Sequence, residues 1–270
     1  MKPEALRAEH LSYSYGDGAD IFRDLNFTLR EGEIFSILGP NGSGKSTLLN
    51  CLANLLQPRQ GRVLLYHTPL RELSAVEIAK RISYVPQIHH PAYSYLVRDY
   101  VVMGRAPYLD LLQVPDESDY DLADQILEEM RLGSLADKDY GRLSGGERQQ
   151  VQIARALVQQ SRIMLLDEPT NHLDYGNQQR ILELLAKLAR QGYAIVMTTH
   201  MPDHPLLLGG KVGLMMKDAF LVGDAEKMIE QKTLRELYQI DLDLVYVAEI
   251  GRKACFNRSI RPPVDPGFKG

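Results

Sequence analysis

The sequence predicts an α/β fold: a mostly parallel β-sheet with flanking helices, an N-terminal antiparallel β layer and a helical subdomain insert. Three observations predict it. Residues 39–47 read GPNGSGKST, which fits the phosphate-binding pattern G-x-x-x-x-G-K-[ST] at every fixed position and lies between a strand-like run and a helix-like run. Further apolar runs of strand length alternate with helical patterns, as parallel strands joined by crossover helices require. The 270 residues, 44% hydrophobic, are enough for a sizeable core. The expected organisation is one domain over 1–250, with the helical insert at about 91–160 and a flexible C-terminal tail over 251–270.

Residues 6–29 carry short apolar or alternating stretches broken by Gly16, Asp17 and Gly18, the pattern of an antiparallel layer with a tight turn. Tyr13 and Tyr15 alternate with serines there. Either ring can stack on an adenine face, or simply fill a strand position. Ile34-Phe35-Ser36-Ile37-Leu38 reads as a buried strand, and Leu48, Leu49, Leu52, Ala53, Leu55 and Leu56 recur at helical spacing beyond the loop. Between them, Gly39, Gly42 and Gly44 let the backbone curl until its N–H groups face phosphate oxygens, and the helix N-terminus adds its positive dipole end. Lys45 is placed to reach the β- and γ-phosphates and Ser46 to ligate Mg²⁺, with Pro40, Asn41, Ser43 and Thr47 completing the nucleotide-binding loop.

Residues 63–66 and 82–85 read as further strands, the second ending in Pro86-Gln87. The helical insert shows one apolar stripe of Leu122, Ala123, Ile126, Leu127 and Met130, with Gly133 as its expected stop. Strand character returns at 163–166 and 194–197, separated by the helical pattern of Ile181, Leu182, Leu184, Leu185, Leu188 and Ala189. From about Arg252 the chain is rich in Pro, Gly and basic residues.

The net charge of −4 argues against a general nucleic-acid binder. No apolar run approaches the roughly 18 residues that cross a bilayer, and MKPEALRAEHL lacks the apolar core of a secretory signal, so a cytoplasmic location is expected. Cys51 and Cys255 match no metal or disulfide spacing, and Cys51 is expected to be a buried thiol. The pair His89 and His90 lacks the further ligands that a tetrahedral metal site needs.

Further stretches follow the phosphate loop in a fixed order. These are Gln87, Leu143-Ser144-Gly145-Gly146-Glu147, the strand 163–166 ending in Asp167-Glu168, Asn171-His172-Leu173-Asp174, and His200. Over about residues 5–225 they resemble the nucleotide-binding subunits of ATP-binding cassette (ABC) transporters. The LSGGE stretch is the most specific element. A Ser-Gly-Gly step opening a helix presents a hydroxyl and N–H groups where the dipole favours an anion, although a plain helix cap accounts for Ser144 taken alone. Chance occurrence of both this motif and the phosphate loop is on the order of 10⁻⁴ at average residue usage.

The resemblance implies binding and hydrolysis of ATP with Mg²⁺. Adjacent residues on a strand point to opposite sides, so Asp167 would hold Mg²⁺ through water while Glu168 serves as general base. Gln87 would touch the metal or the attacking water and His200 the γ-phosphate. Tyr15, just before Gly16, matches the adenine-stacking aromatic better than Tyr13. Asn171 and His172 depart from the commoner Ser-Ala of the family, which leaves their contacts open. Two copies are expected to pack head to tail, each ATP lying between one phosphate loop and the partner's Ser144, Gly145 and Gly146, with Asp174 acting across the dimer. The implied partners are a second copy, polytopic membrane permease subunits and, indirectly, an extracytoplasmic substrate-binding protein, with no nucleic acid. The implied location is the inner face of the cell membrane, as a peripheral subunit.

Residues 101–109, VVMGRAPYL, resemble the corresponding stretch in importers of metal chelates such as ferric siderophores, haem and cobalamin, and sometimes molybdate. The surface expected to receive the permease includes Tyr93, Tyr95, Val97 and Arg98. The alternatives are an ABC ATPase of another transport system, for molybdate, another small solute or export, and an ATPase of DNA maintenance. In the latter a long coiled coil usually separates the motifs, whereas Lys45 and Asp167 lie only about 120 residues apart without heptads between them. A non-catalytic binding module is disfavoured because Lys45, Asp167, Glu168 and His200 are all present.

Overall fold

The computed structural model describes residues 2–16, 18–87, 94–110 and 112–257. The chain opens with two long strands, β1 (Glu4–Ser14) and β2 (Asp20–Arg30), then enters the fully buried β3 (Ile34–Leu38) and the helix α1 (Lys45–Leu52). Next come β4 (Gln60–Leu65), the short β5 (Thr68–Pro69), α2 (Ala75–Ala79) and β6 (Ile82–Val85). The helical insert follows as α3 (Val97–Val102), a 3₁₀ run (Met103–Tyr108), α4 (Glu117–Glu129) and α5 (Gly145–Val158). Then come β7 (Ile163–Leu166), α6 (Tyr175–Arg190), β8 (Ala194–Thr199), α7 (Asp203–Leu208), β9 (Lys211–Met215) and β10 (Phe220–Asp224). The described chain closes with α8 (Ala225–Met228), α9 (Gln231–Tyr238), β11 (Leu242–Val247) and β12 (Arg252–Asn257).

The strands form an antiparallel sheet in the order β2-β1-β4-β5 and a six-stranded sheet in the order β10-β9-β3-β8-β7-β6. In the larger sheet β9, β3, β8, β7 and β6 run parallel and β10 pairs antiparallel with β9. The register sets Leu38 beside Thr199, Leu166 beside Met197 and Val85 beside Leu166. Gly39, Asp167, His200 and Gln87 therefore leave the sheet at the same carboxyl edge, where ligands of open parallel sheets bind.

One core lies between the antiparallel sheet, α1 and the larger sheet, with Phe27 and Phe35 stacked 4.3 Å apart. On the other face, β7 and β8 pack against α5 and α6. The insert has its own core, built from α3, α4 and α5. Helix α5 belongs to two of these cores: Ile153, Ala156 and Leu157 face the sheet, while Val151, Ala154 and Val158 face the insert. Its apolar positions thus form two stripes around one helix.

The 101–109 stretch joins the insert to α5. Gly104 lies so close to the helix that a Cβ there would run into the Arg155 carbonyl. Arg105 donates to Asp119 at 2.8 Å, to the Val158 carbonyl at 3.3 Å and to Gln160 at 3.0 Å, tying the start of α4 to the end of α5.

Three expectations need correction. Val97, expected on the surface that receives the permease, is fully buried in the core of the insert. Helix α4 ends at Glu129 rather than at Gly133. The left-handed position is taken by Arg131 (φ 60°), and the Leu132 N–H donates back to the Leu127 carbonyl at 2.7 Å, so backbone bonds close the helix without glycine. Residues 252–257, expected within the flexible tail, instead form β12 on β11, with Leu244 opposite Cys255. The prolines that gave the tail its composition all lie beyond Asn257, and averaging over the whole stretch hid the strand. Residues 258–270, together with Asp17, His89, His90, Pro91 and Tyr93, lie outside the described residues.

Candidate functional site

The loop between β3 and α1 needs its glycines for two reasons. Gly42 (φ 79°) and Gly44 (φ 99°) adopt left-handed backbone, and a Cβ on Gly44 would come within 2.5 Å of the Ile21 side chain. Gly39 has no room for a side chain, because a Cβ there would lie 2.8 Å from Ser43 Oγ and 3.0 Å from the Met215 carbonyl. Gly44 also caps α1 without any side-chain bond, so the first N–H groups of the helix keep their donors for a ligand. The Ser43 hydroxyl oxygen is buried and has no hydrogen-bond partner among the described residues. Ser46 is exposed at the first turn, and Asn41 is exposed at the tip of the loop. Only 4% exposed, the Lys45 ammonium donates to the Gly39 and Pro40 carbonyls, both at 3.0 Å, and lies 3.1 Å from Glu168 Oε1.

Strand β7 carries Asp167 and Glu168 to the same edge, both buried. The two are linked by one hydroxyl. Thr198 Oγ1 donates to Asp167 Oδ1 at 2.7 Å and accepts from the Glu168 N–H at 2.8 Å. Glu168 itself has a left-handed backbone (φ 46°), a costly conformation for a non-glycine residue that its surroundings must enforce. The Thr198 bond and the Asn171 N–H, which donates to the Glu168 carbonyl at 3.0 Å, do so. Glu168 Oε2 then accepts from Asn171 Nδ2 at 3.0 Å and Gln87 Nε2 at 3.4 Å, with His200 Nδ1 at 3.3 Å. Gln87, Lys45 and His200, three residues far apart in sequence, thus converge on one carboxylate.

Tyr13 and Tyr15 separate clearly. Tyr13 is buried in the core, whereas the ring of Tyr15 is 56% exposed, edge-on to Tyr13 at 5.0 Å, with its hydroxyl 3.2 Å from Thr47 Oγ1. Ser144 caps α5 in a reciprocal box: its backbone N–H and hydroxyl donate to Glu147 Oε2 at 2.9 and 2.7 Å, and its Oγ accepts from the Glu147 N–H. These bonds hold the Glu147 carboxyl below its ordinary range. Asp174 caps α6, accepting from the Asn177 N–H at 2.9 Å, and its pKa is lowered for the same reason. Gly145 lies against Leu173 and Gly146 against Asn177, which brings the LSGGE and Asp174 stretches together on one surface. Among the described residues, no hydrogen bond or ion pair links Ser144, Gly145, Gly146 or Asp174 to the Lys45–Glu168 cluster.

Beneath His200, the buried His204 ring lies 2.9 Å from Thr199 Oγ1, and burial, aided by the neighbouring His200, pushes its pKa down to about 4. Above the unfolded value of 6.5 both states are neutral and the fold keeps its full stability. As pH falls from 6.5 to about 4 the unfolded chain binds a proton that the folded chain refuses, a loss approaching roughly 3 kcal/mol. Urea unfolding at pH 7.5 and 5.0 should therefore show a steeper acid loss for the native protein than for His204→Gln. Equal losses would remove His204 as the cause.

Sequence reasoning missed the part played by Thr198 and left Asn171 open. A polar pair, Thr198-Thr199, ending an otherwise apolar buried strand was the signal available for the first. For Asn171 the departure from Ser was visible, but its contact depends on the backbone turn at Glu168.

The ABC transporter family profile matches residues 22–171. The chain is 35% identical over 240 residues to the molybdate import ATP-binding protein MolC of Haemophilus influenzae, covering 88% of this chain and 90% of that protein. Identity to the iron(3+)-hydroxamate import ATP-binding protein FhuC of Bacillus subtilis is 32% over 257 residues, 93% and 94% of the two chains. Among solved structures, a chain of an ABC transporter assigned to the metal-chelate type, in an inward-facing conformation, superimposes with a TM-score of 0.84 at 34% identity, covering 94% of this chain and 96% of that one.

Proposed function

The chain belongs to the ABC transporter family of ATP-binding subunits, ATPases that power transport, and from that premise we propose that it drives import of a metal chelate: a ferric siderophore, haem or cobalamin. The observation that carries this is the likeness, over 94% of the chain, to a chain of a transporter assigned to the metal-chelate type. The stretch 101–109, wedged between the insert and α5, supports the same reading. Subunits of this family pair with membrane permease components. Attachment to such a permease at the cytoplasmic face, as a head-to-tail pair of copies, belongs to the proposal. Among the described residues no helix is long and apolar enough to cross a membrane.

In this reading residues 39–47 hold the triphosphate of ATP, and Lys45 transfers its ammonium from Gly39, Pro40 and Glu168 to the β- and γ-phosphates. The orphaned Ser43 hydroxyl and the glycine-lined turn fit such a ligand. Asp167, Ser46 and Gln87 offer oxygen donors that suit Mg²⁺, and Thr198 fixes Asp167 through one carboxylate oxygen only. When bound, the ion would neutralise phosphate charge. Glu168 accepts the proton of the attacking water, His200 contacts the γ-phosphate, and Tyr15 offers its exposed ring to adenine. Ser144, Gly145, Gly146 and Asp174 serve the partner's nucleotide, in keeping with their separation from the local cluster.

The 35% identity to MolC favours molybdate as a second reading. Uptake assays in a strain lacking this chain discriminate between them. Loss of ferric hydroxamate, haem or cobalamin uptake, restored by the native chain and not by Lys45→Ala, is the expected result. Loss of molybdate uptake alone would select the second reading. Unchanged import of all four, with an export activity lost, would overturn the direction.

A further inference from the structure

His200 is held from two sides. Its ring faces Glu168, while its backbone carbonyl accepts a 2.8 Å hydrogen bond from the Tyr238 hydroxyl at the end of α9. Tyr238 comes from well beyond the matched segment 22–171. Helix α9 is fixed in turn, since its Leu234 and Leu237 are buried with Leu38 of β3, Val212 and Leu214 of β9, and Leu242 of β11. Strand β12 grips the other end of the same loop, where the Cys255 N–H donates to Asp203 Oδ1 at 3.0 Å. The stretch between β8 and α7 that carries His200 is thus clamped at residue 200 by α9 and at residue 203 by β12.

We propose that Tyr238 is a positioning residue for ATP hydrolysis: its hydroxyl sets the height of the His200 backbone and so the reach of the His200 ring towards Glu168. This inference rests on the reading that His200 takes part in turnover. The physical basis is geometric. The bonds from Tyr238 to the His200 carbonyl and from the Met201 N–H to Thr199 Oγ1 hold the peptide that follows the residue, and the Gly39 N–H, donating to the Thr199 carbonyl at 3.3 Å, holds the one before it, leaving the His200 side-chain torsions as its main freedom. Removing the first bond leaves that rigid peptide held only at the Met201 N–H, so it can tilt, and the ring 3.3 Å from Glu168 loses its defined place. The α9, β11 and β12 unit thereby acts on the nucleotide site without touching a nucleotide.

The test uses the full-length chain and Tyr238→Phe, which removes one oxygen and keeps the ring. Expected are a fall in kcat for ATP of roughly 2- to 10-fold, the worth of one neutral hydrogen bond, with KM and Tm close to native. In histidine ring ¹H–¹⁵N spectra, the His200 signals, identified by their absence in His200→Ala, should move while those of the distant His67 stay. Unchanged kcat and unchanged His200 signals would overturn the inference. So would a lowered Tm with kcat and KM altered together, the mark of a merely structural role. If His200→Ala hydrolysed ATP at the native rate, the reading of His200 would fall and this inference with it, whereas an inactive His200→Ala beside a native-like Tyr238→Phe defeats the inference alone.

Discussion

Glu168→Gln should lower ATP turnover by about 10²- to 10⁴-fold while leaving nucleotide binding intact, because it removes a proton acceptor and almost no volume. The geometry adds a reason for binding to strengthen. In the native chain the Lys45 ammonium is paired with Glu168 at 3.1 Å, and that pair competes with phosphate for Lys45. A neutral amide releases the lysine and removes a negative charge beside the γ-phosphate. Asp167 keeps its bond to Thr198, so the carboxylate proposed to hold the metal should not move. If ATP bridges two copies, the trapped nucleotide should hold the variant as a dimer in size-exclusion chromatography with MgATP. Ser144→Glu should abolish that dimer by setting a negative charge against the phosphates. Native turnover in Glu168→Gln would sink the base assignment. An inactive, ATP-saturated monomer, with and without the permease, would count against the shared site.

For Lys45→Ala the expected result is a fall in ATP affinity of at least roughly 10-fold, from the loss of charge-assisted contacts to phosphate, with turnover near background. A second effect follows from burial. Lys45 and Glu168 are 4% and 7% exposed, and removing one partner of a buried ion pair leaves the other uncompensated, typically at about 3–5 kcal/mol. Asn171, Gln87 and His200 still surround the Glu168 carboxylate, so the lower end of that range is expected. Urea unfolding can separate the two effects: the double variant Lys45→Ala/Glu168→Gln should regain much of the stability while still lacking the contacts of Lys45 to phosphate. Native ATP affinity in Lys45→Ala would contradict the phosphate role.

Much of this was legible in the sequence, because the informative residues obey local rules. A strand of five buried residues, a glycine turn and an apolar helix fix the phosphate loop within about twenty residues, and the same strand-to-loop logic placed Asp167, Glu168 and His200. What was not legible depends on contacts between distant segments. Thr198 bridges the two acids only because β8 lies beside β7, and Asn171 reaches Glu168 only because the backbone there turns left-handed. Tyr238 meets His200 across 38 positions, and no periodicity announces such a bond. The end of α4 was misjudged because backbone bonds closed it at Arg131, where a glycine had been expected to mark the stop.

The two-sided packing of α5 also bears on which length changes the chain can accept. Inserting one residue midway along the helix would turn everything after it by about 100°. Ile153, Ala156 and Leu157 would swing off the sheet and Val158 off the insert, so a single codon gained there would damage two cores at once. The connection between Tyr108 and Glu117 has no such constraint, because none of its described residues belongs to a helix and the Arg105–Asp119 bond ties together the segments on either side of it. Relatives of this chain that differ in length are expected to differ there, and a tag or reporter placed in that connection should leave the ATPase working.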